Sequence, residues 1–154
     1  MRQRFSAAAF EYAVVPRGLR LLETGEPIAA GVLKGKRILA FCGIARPERF
    51  FSLLVENGLP PQTKMPFPDH FLYPPPSLDR LAAAGERDRI EALLTTEKDA
   101  VKLLGRTWAF ASTPLYVLDV GLDLPPAFFE KISASLGPAG PVDDLNRSQA
   151  TRPS

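Results

Sequence analysis

Apolar runs that alternate with amphipathic stretches constrain the fold of this chain most strongly. Residues 38–44 form a continuous apolar run of the kind found in strands that are covered on both faces. The next stretch opens with Pro47 and Glu48, which suit the first turn of a helix, and Gly58 is placed to end it. A further strand is expected near residues 63–67, so this segment predicts the order strand, helix, strand.

The same cycle recurs through the rest of the chain. A helix is predicted from an N-cap at Ser77 to a stop at Gly85, and then a strand over residues 90–95. Three more elements follow: a short helix from Thr96 to Gly105, a strand over 115–120 and a helix over 125–136. Strands that alternate with helices predict an α/β fold, a mostly parallel open sheet with helices on its faces.

The composition changes twice along the chain. Residues 1–34 hold short apolar runs broken by proline and glycine, which predicts a strand-rich hinge segment of two strands or a ribbon before the sheet. Residues 35–137 form the α/β domain. Residues 138–154 contain almost nothing apolar and are expected to be a disordered tail.

Charge and residue counts narrow the classes of function. The net charge of +2 is too small to indicate a nucleic acid or a membrane surface as partner. Cys42 is the only cysteine, which excludes an internal disulfide and favours a cytoplasmic location. His70 is the only histidine, so a zinc site that needs two is excluded. No window approaches the roughly 20 apolar residues of a spanning helix.

Two patterns suggest phosphate or metal binding and fail on closer reading. Residues 31–37 have one residue too few between their glycines for a P-loop, carry Arg37 in place of the hydroxyl, and precede a strand instead of a helix. Asp143 and Asp144 resemble a magnesium-binding pair, but no apolar strand stands behind them. We therefore expect no metal ligand in this chain.

His70 is the residue with the best case for direct chemistry. A histidine titrates near neutral pH, and this one follows Asp69 just after a predicted strand, where the loops of an open α/β sheet meet ligands. From residue chemistry alone, a loop histidine satisfied by backbone contacts is the simpler interpretation. Similarly, Thr96 and Asp99 are explained as a helix cap, with Glu97 and Lys98 in solvent.

Three motifs, in order, carry a resemblance to a known family. They are Gly-Lys-Arg at 35–37 leading into Phe-Cys-Gly-Ile-Ala-Arg-Pro-Glu-Arg-Phe-Phe at 41–51, Phe-Pro-Asp-His at 67–70, and Leu-Thr-Thr-Glu-Lys-Asp-Ala-Val-Lys at 94–102. The chain from about residue 15 to 136 resembles the C-terminal part of the tetraacyldisaccharide 4′-kinases.

This resemblance implies a function for the whole enzyme. Such kinases transfer the γ-phosphate of ATP, with Mg²⁺, to the 4′-hydroxyl of the lipid A disaccharide precursor. They act at the cytoplasmic face of the inner membrane of Gram-negative bacteria. The resemblance implies that an N-terminal P-loop domain is the partner of this chain and carries the membrane contact. Without that domain the chain is expected to be inactive.

The resemblance also assigns roles to residues. His70 and Asp69 are implied to be catalytic, the histidine working with an aspartate of the first domain to ready the sugar hydroxyl. Glu97 and Lys98 are implied to line the interdomain cleft near the nucleotide or the hinge. The family often has a second histidine where Phe71 stands here, which puts any role that needs both in doubt.

A second class of function remains open on the residues alone. The chain would then be a free-standing α/β module that binds a ligand or a protein without catalysis. In that interpretation Gly43 and His70 are loop residues of a binding surface, and Cys42 belongs to the core in either case.

Overall fold

Six strands and four α-helices make up the described part of the chain, which is residues 13–106, 112–123 and 125–136 of the computed structural model. A short 3₁₀ helix, Ala30–Leu33, precedes the third strand. The strands are β1 (Ala13–Leu21), β2 (Pro27–Ile28), β3 (Ile38–Cys42), β4 (Thr63–Pro66), β5 (Ala92–Thr96) and β6 (Leu115–Asp123). The α-helices are α1 (Pro47–Glu56), α2 (Pro75–Arg87), α3 (Glu97–Ala100) and α4 (Pro126–Leu136).

The strands form one sheet in the order β2-β1-β6-β5-β3-β4. β3 pairs in parallel with β4 on one side and β5 on the other, and β5 pairs in parallel with β6. β1 and β2 form an antiparallel ribbon at the opposite edge, within the segment predicted to be rich in strands. The predicted α/β fold class is confirmed.

The buried residues of β3 show why this apolar run forms a central strand. Leu39 and Phe41 pack into the core on the face of α2, whereas Ile38, Ala40 and Cys42 pack into the core on the face of α1. All five are at most 1% exposed. Successive side chains of a strand point to opposite faces, so a strand between two helical layers needs apolar residues at every position.

Helix α1 follows the signals in its sequence closely. Pro47 occupies the first turn with Glu48, and the buried side chains include Phe50 and Leu54. Gly58, with a φ of 74°, follows the C-cap in the left-handed conformation that glycine adopts without steric cost. Val55 of the same helix is half exposed.

Both predicted ends of helix α2 are wrong. The helix begins at Pro75 because proline has no backbone N–H to lose in the first turn. Ser77 lies inside that turn, where its hydroxyl donates a 2.6 Å hydrogen bond to the carbonyl of Pro74. Gly85 is a buried residue within the helix. The left-handed residue after the helix is Arg89, with a φ of 51°.

Thr96 caps helix α3 as predicted, since its side-chain oxygen accepts a hydrogen bond from the amide of Asp99. Helix α3 is only four residues long, and turns follow it up to Gly105, which has a φ of 72°. The β5 strand begins two residues later than predicted, at Ala92.

The described residues fall into two units. Residues 14–122 form the one that contains the sheet and α1 to α3, whereas α4 belongs to the other. The helix predicted over 125–136 is present as α4. The tail predicted over 138–154 lies outside the described residues, and the domain limits at residues 34 and 137 stay predictions. Within the described residues, no helix combines the length and apolarity that crossing a membrane requires.

Asp88 gives the fold a testable dependence on pH. Hydrogen bonds from Arg87 and from the hydroxyl of Thr63 lower the pKa of Asp88 to about 2. Because the pKa in the folded state lies below the ordinary value, this carboxylate stabilises the fold above about pH 4. That stabilisation is lost as the pH falls through about 2. Urea unfolding at a series of pH values should show a shallower acid dependence for Asp88→Asn than for the wild type.

The control for this measurement is Asp79→Asn, which removes an exposed carboxylate from α2, the helix whose C-cap is Asp88. An acid dependence that is the same in Asp88→Asn and the wild type would contradict the assignment.

Candidate functional site

The topology directs attention to the carboxyl ends of β3 and β5. The chain leaves β3 toward β4 on one side and later returns to β5 on the other side of β3. In open α/β sheets, ligands bind outside the carboxyl ends of the strands at such a switch in strand order. The residues that follow β3, β4 and β5 at this edge are Gly43, the loop 67–73 and the Thr96–Asp99 turn.

Gly43 is the first residue after β3, and its surroundings leave no space for a side chain. A Cβ built there would lie 3.1 Å from the Cβ of Phe71 and 3.1 Å from the carbonyl oxygen of Pro68. It would also lie 3.2 Å from a carboxylate oxygen of Asp99. The glycine therefore permits the loop after β4 and the turn after β5 to approach the end of β3 closely.

Asp99 is the buried charge of this edge, with no exposed surface. Its Oδ2 accepts hydrogen bonds from the amide of Gly43 at 2.8 Å and from the hydroxyl of Thr96 at 2.7 Å. Its Oδ1 accepts a 2.9 Å bond from the ammonium of Lys102, whose side chain is 16% exposed. A buried carboxylate is stable when it is paired and hydrogen-bonded in this way.

Asp69 and His70 lie in the loop after β4, as the sequence predicts. The backbone amide of His70 donates to the carbonyl of Gly43 at 3.1 Å and to Oδ1 of Asp69 at 3.0 Å. The imidazole is 76% exposed, and its Nε2 lies 3.6 Å from Oδ2 of Asp69. His70 has a φ of 60°, an uncommon conformation for a residue with a side chain. The loop thus holds the backbone of His70 and leaves its ring open to solvent.

Lys98 joins the turn after β5 to the loop after β4. Its ammonium donates a 3.0 Å hydrogen bond to Oδ1 of Asp69. This bond is the main cause that lowers the pKa of Asp69, and the nearby His70 acts in the same direction. Glu97 is exposed in the same turn, and no side-chain hydrogen bond or ion pair involves it within the described part of the chain. The structure therefore brings together Asp69, His70 and Lys98, whereas Glu97 stands beside them.

Aromatic rings pack against one another within the loop 67–73. Phe71 stacks on Phe67 with ring centres 4.8 Å apart and meets Tyr73 edge-on at 5.3 Å. Phe71 is thus a packing residue in the loop, at the position where the family often has a second histidine.

Tyr73 is fully buried, and its hydroxyl has no hydrogen-bond partner among the described residues. Burial and then the negative charge of Asp99 raise the pKa of Tyr73, so the phenol stays protonated.

Cys42 lies in the core, as the sequence predicts. Its thiol is free and fully buried beneath the same edge. Burial, followed by the charge of Asp99, raises the pKa of Cys42 to about 12. Since the thiolate is the reactive form, this cysteine is a packing residue at neutral pH.

Asp69 and Asp99, two carboxylates of this edge, have lysine partners within the protein. No group of three or more His, Cys, Asp and Glu side chains among the described residues could hold a metal. Both oxygens of Asp99 already accept hydrogen bonds from Gly43, Thr96 and Lys102.

Sequence reasoning missed the roles of Asp99 and Lys102. Their spacing of three residues predicts an ion pair on one helical face, and that signal was available. The bond from Gly43 to Asp99 spans 56 residues, so only the topology reveals it.

Comparisons with known proteins converge on one family. The family model for tetraacyldisaccharide-1-P 4′-kinase matches residues 2–137. The tetraacyldisaccharide 4′-kinase of Methylobacterium nodulans is 38% identical over 133 residues, covering 82% of this chain and 37% of that protein. The corresponding kinase of Gluconobacter oxydans is 51% identical over 71 residues, covering 46% of this chain and 21% of that protein.

A solved structure supports the fold. The crystal structure of the "apo" form of LpxK from Aquifex aeolicus in complex with ATP matches with a TM-score of 0.51 and 24% sequence identity. The match covers 80% of this chain and 34% of that one. The chain thus spans between about a fifth and two fifths of the length of these relatives.

The ion pair between Lys98 and Asp69 can be tested by titration. Lys98→Gln removes the main cause of the lowered pKa of Asp69, so this pKa should rise toward its ordinary value. The measurement is a ¹³C NMR titration of the Asp69 carboxyl in the 154-residue chain. Glu97→Gln changes the adjacent residue and should leave the Asp69 titration in place. An unchanged Asp69 pKa in Lys98→Gln would exclude the pair in solution.

Proposed function

The chain belongs to the tetraacyldisaccharide-1-P 4′-kinase family, and from this premise we propose that it is the C-terminal part of a lipid A 4′-kinase. The complete enzyme transfers the γ-phosphate of ATP to the 4′-hydroxyl of the lipid A disaccharide precursor. Two facts support the proposal: the family match spans residues 2–137, and the chain covers 37% of the Methylobacterium nodulans kinase.

The arrangement of Asp69, His70 and Lys98 is the observation that carries the proposal. Three polar side chains from two loops meet at the carboxyl edge of the sheet, joined by the 3.0 Å bond from Lys98 to Asp69. This is where a domain of this class presents groups to a ligand. The exposed imidazole of His70 is the group that can reach a substrate hydroxyl.

His70 handles the proton in the proposed mechanism. A histidine near neutral pH can accept the hydroxyl proton as the oxygen attacks phosphorus, and an aspartate of the P-loop domain assists it. Asp69 orients the imidazole, since its Oδ2 lies 3.6 Å from Nε2. The hydrogen bond from Lys98 lowers the pKa of Asp69, which is an ionised carboxylate near neutral pH. Asp69 can then stabilise the protonated ring.

ATP and Mg²⁺ belong to the other half of the enzyme in this proposal. Phosphoryl transfer depends on a P-loop, a lysine and a metal ion that grip the phosphates. Residues 31–37 lie in a 3₁₀ helix and a turn that lead into β3, unlike a P-loop, which leads into a helix. Glu97 and Lys98 are proposed to line the cleft between the two domains, on the side of the nucleotide.

The partners and the location follow from the same proposal. The N-terminal P-loop domain is the protein partner, and the lipid A disaccharide precursor is the substrate. The P-loop domain makes the contact with the cytoplasmic face of the inner membrane. Nucleic acid is no part of the proposed function, since the net charge of the chain is only +2.

The chain by itself is predicted to be inactive as a kinase. Purified 154-residue protein, incubated with labelled ATP, Mg²⁺ and the disaccharide precursor, should form no phosphorylated lipid. The physical reason is that the sequence contains no P-loop pattern that would grip the phosphates. A full-length family kinase serves as the positive control. Turnover by the chain alone at the rate of that control would contradict the assignment of the chemistry to two domains.

His70→Ala tests the proposed site in the assembled enzyme. A family P-loop domain is fused upstream of Phe10 or co-expressed with the chain, and steady-state kinetics are measured. The turnover rate should fall roughly 10²-fold or more, as expected when a positioned proton-handling group is lost. The KM for ATP should change much less, because the other domain holds the phosphates.

Two matched variants of the same loop act as controls. Leu72→Ala shortens an exposed neighbour of His70 and should leave turnover near the wild-type rate. Phe71→His restores the common pair, and any loss it causes should appear as lower stability, since Phe71 packs on Phe67 and Tyr73. Turnover of His70→Ala within a factor of two of wild type would make His70 a loop residue only.

A further inference from the structure

We propose that Asp99 is a positioning residue that sets the turn carrying His70 by way of the Gly43 backbone. The proposal concerns a buried side chain that touches neither ATP nor lipid in the mechanism above. It rests on the proposed function only in treating His70 as catalytic, and its geometric part holds without that assignment.

Two hydrogen bonds form the connection. The carboxylate of Asp99 accepts the amide proton of Gly43 at 2.8 Å, and the carbonyl oxygen of Gly43 accepts the amide proton of His70 at 3.1 Å. The amide and the carbonyl of Gly43 belong to successive peptide planes. Glycine resists rotation between these planes less than any other residue. At this position Phe71 and Pro68 pack closely against Gly43 and limit that rotation, so the bond from the Gly43 amide to Asp99 also helps to set the direction of the carbonyl, and with it the position of His70.

Both carboxyl oxygens of Asp99 are in use, because three donors converge on them. Gly43 and Thr96 donate to Oδ2, and Lys102 donates to Oδ1. An asparagine would present one oxygen and one NH₂ group to the same donors. The ammonium of Lys102 can only donate hydrogen bonds, so an asparagine NH₂ group that faces Lys102 loses the contact with Lys102. An NH₂ group that faces Gly43 instead loses the contact with the Gly43 amide.

Water cannot replace the lost contact easily. Asp99 has no exposed surface, and the bond to Gly43 is buried. A buried donor without an acceptor favours a rearranged backbone in which the donor is satisfied. In Asp99→Asn the ammonium of Lys102 retains the one oxygen, because a hydrogen bond from a charged donor is the stronger contact, so the NH₂ group faces Gly43 and the rearrangement reaches the hydrogen bond of His70.

The test measures the solvent exchange rate of the His70 amide by ¹⁵N NMR in the 154-residue chain. Asp99→Asn should raise this rate roughly tenfold, the change expected when the amide loses the Gly43 carbonyl as one of its two acceptors and keeps Oδ1 of Asp69. Adding Lys102→Met removes the ammonium that donates to the Oδ1 position. The asparagine side chain can then rotate so that its NH₂ group lies at that position and its oxygen accepts from the Gly43 amide. In the double variant the rate should fall back to within about threefold of wild type.

Asp88→Asn is the matched control. Like Asp99→Asn, it removes a carboxylate that binds a threonine hydroxyl and a cation, here Thr63 and Arg87. Thr63 begins β4, so this contact lies at the other end of that strand from the loop that carries His70. The His70 rate in this variant should stay within about twofold of wild type after correction for global stability.

Three results would overturn the proposal. One is a His70 rate in Asp99→Asn no higher than in Asp88→Asn. Another is a double variant that exchanges as fast as Asp99→Asn, which would indicate general loosening. The third result comes from the wild type, in which NMR can detect scalar couplings across hydrogen bonds. One coupling should link the Asp99 carboxyl carbon to the Gly43 nitrogen. A second should link the Gly43 carbonyl carbon to the His70 nitrogen. Absence of either coupling would remove the connection even if Asp99→Asn fails to fold.

The outcome is independent of the kinase assay, because amide exchange requires no phosphoryl transfer. If His70→Ala keeps full turnover, the proposed catalytic role fails while the link from Asp99 to His70 stands. If the exchange test fails instead, His70 can still be catalytic, held by other contacts of its loop.

Discussion

The buried carboxylate of Asp99 organises the functional edge of this domain. It lies where α3 leaves β5, yet it binds the first residue after the neighbouring strand β3, the cap of its own helix and the ammonium of Lys102. A charge with no exposed surface is tolerated only when such partners surround it. Gly43 donates through its backbone, whereas Thr96 and Lys102 donate through their side chains, so a substitution at either of the latter two removes a donor to the same carboxylate.

Much of the fold is predictable because its local signals agree with one another. The apolar run at 38–44, the proline at 47 and the glycine at 58 mark a strand, a helix start and a helix stop, and the structure places each there or within two residues. The start of α2 shows the limit of such signals, because a proline cluster can be a rigid loop or a first helical turn. The order of the strands is set by long-range packing, which no local pattern encodes.

The candidate site is predictable in part, and for a different reason. The three motifs led to Asp69, His70, Glu97 and Lys98, and the family match confirms the resemblance on which that choice rested. Three of the four side chains lie together, although β3 stands between the strands that carry them. The support beneath them was not predictable, because a buried contact such as that of Gly43 with Asp99 joins residues far apart in the sequence.

The contrast between the two ends of His70 indicates how the edge can work. Its backbone is held by Gly43 and Asp69, whereas its ring is 76% exposed and has Oδ2 of Asp69 at 3.6 Å on one side. Proton transfer within a positioned complex requires that the backbone of the catalytic residue is held in place and that a second surface fixes the orientation of its side chain. This domain holds the backbone of His70. In the proposed enzyme the P-loop domain and the bound sugar fix the orientation of the imidazole. The ring therefore becomes fully ordered only when both halves of the enzyme and the substrate are together.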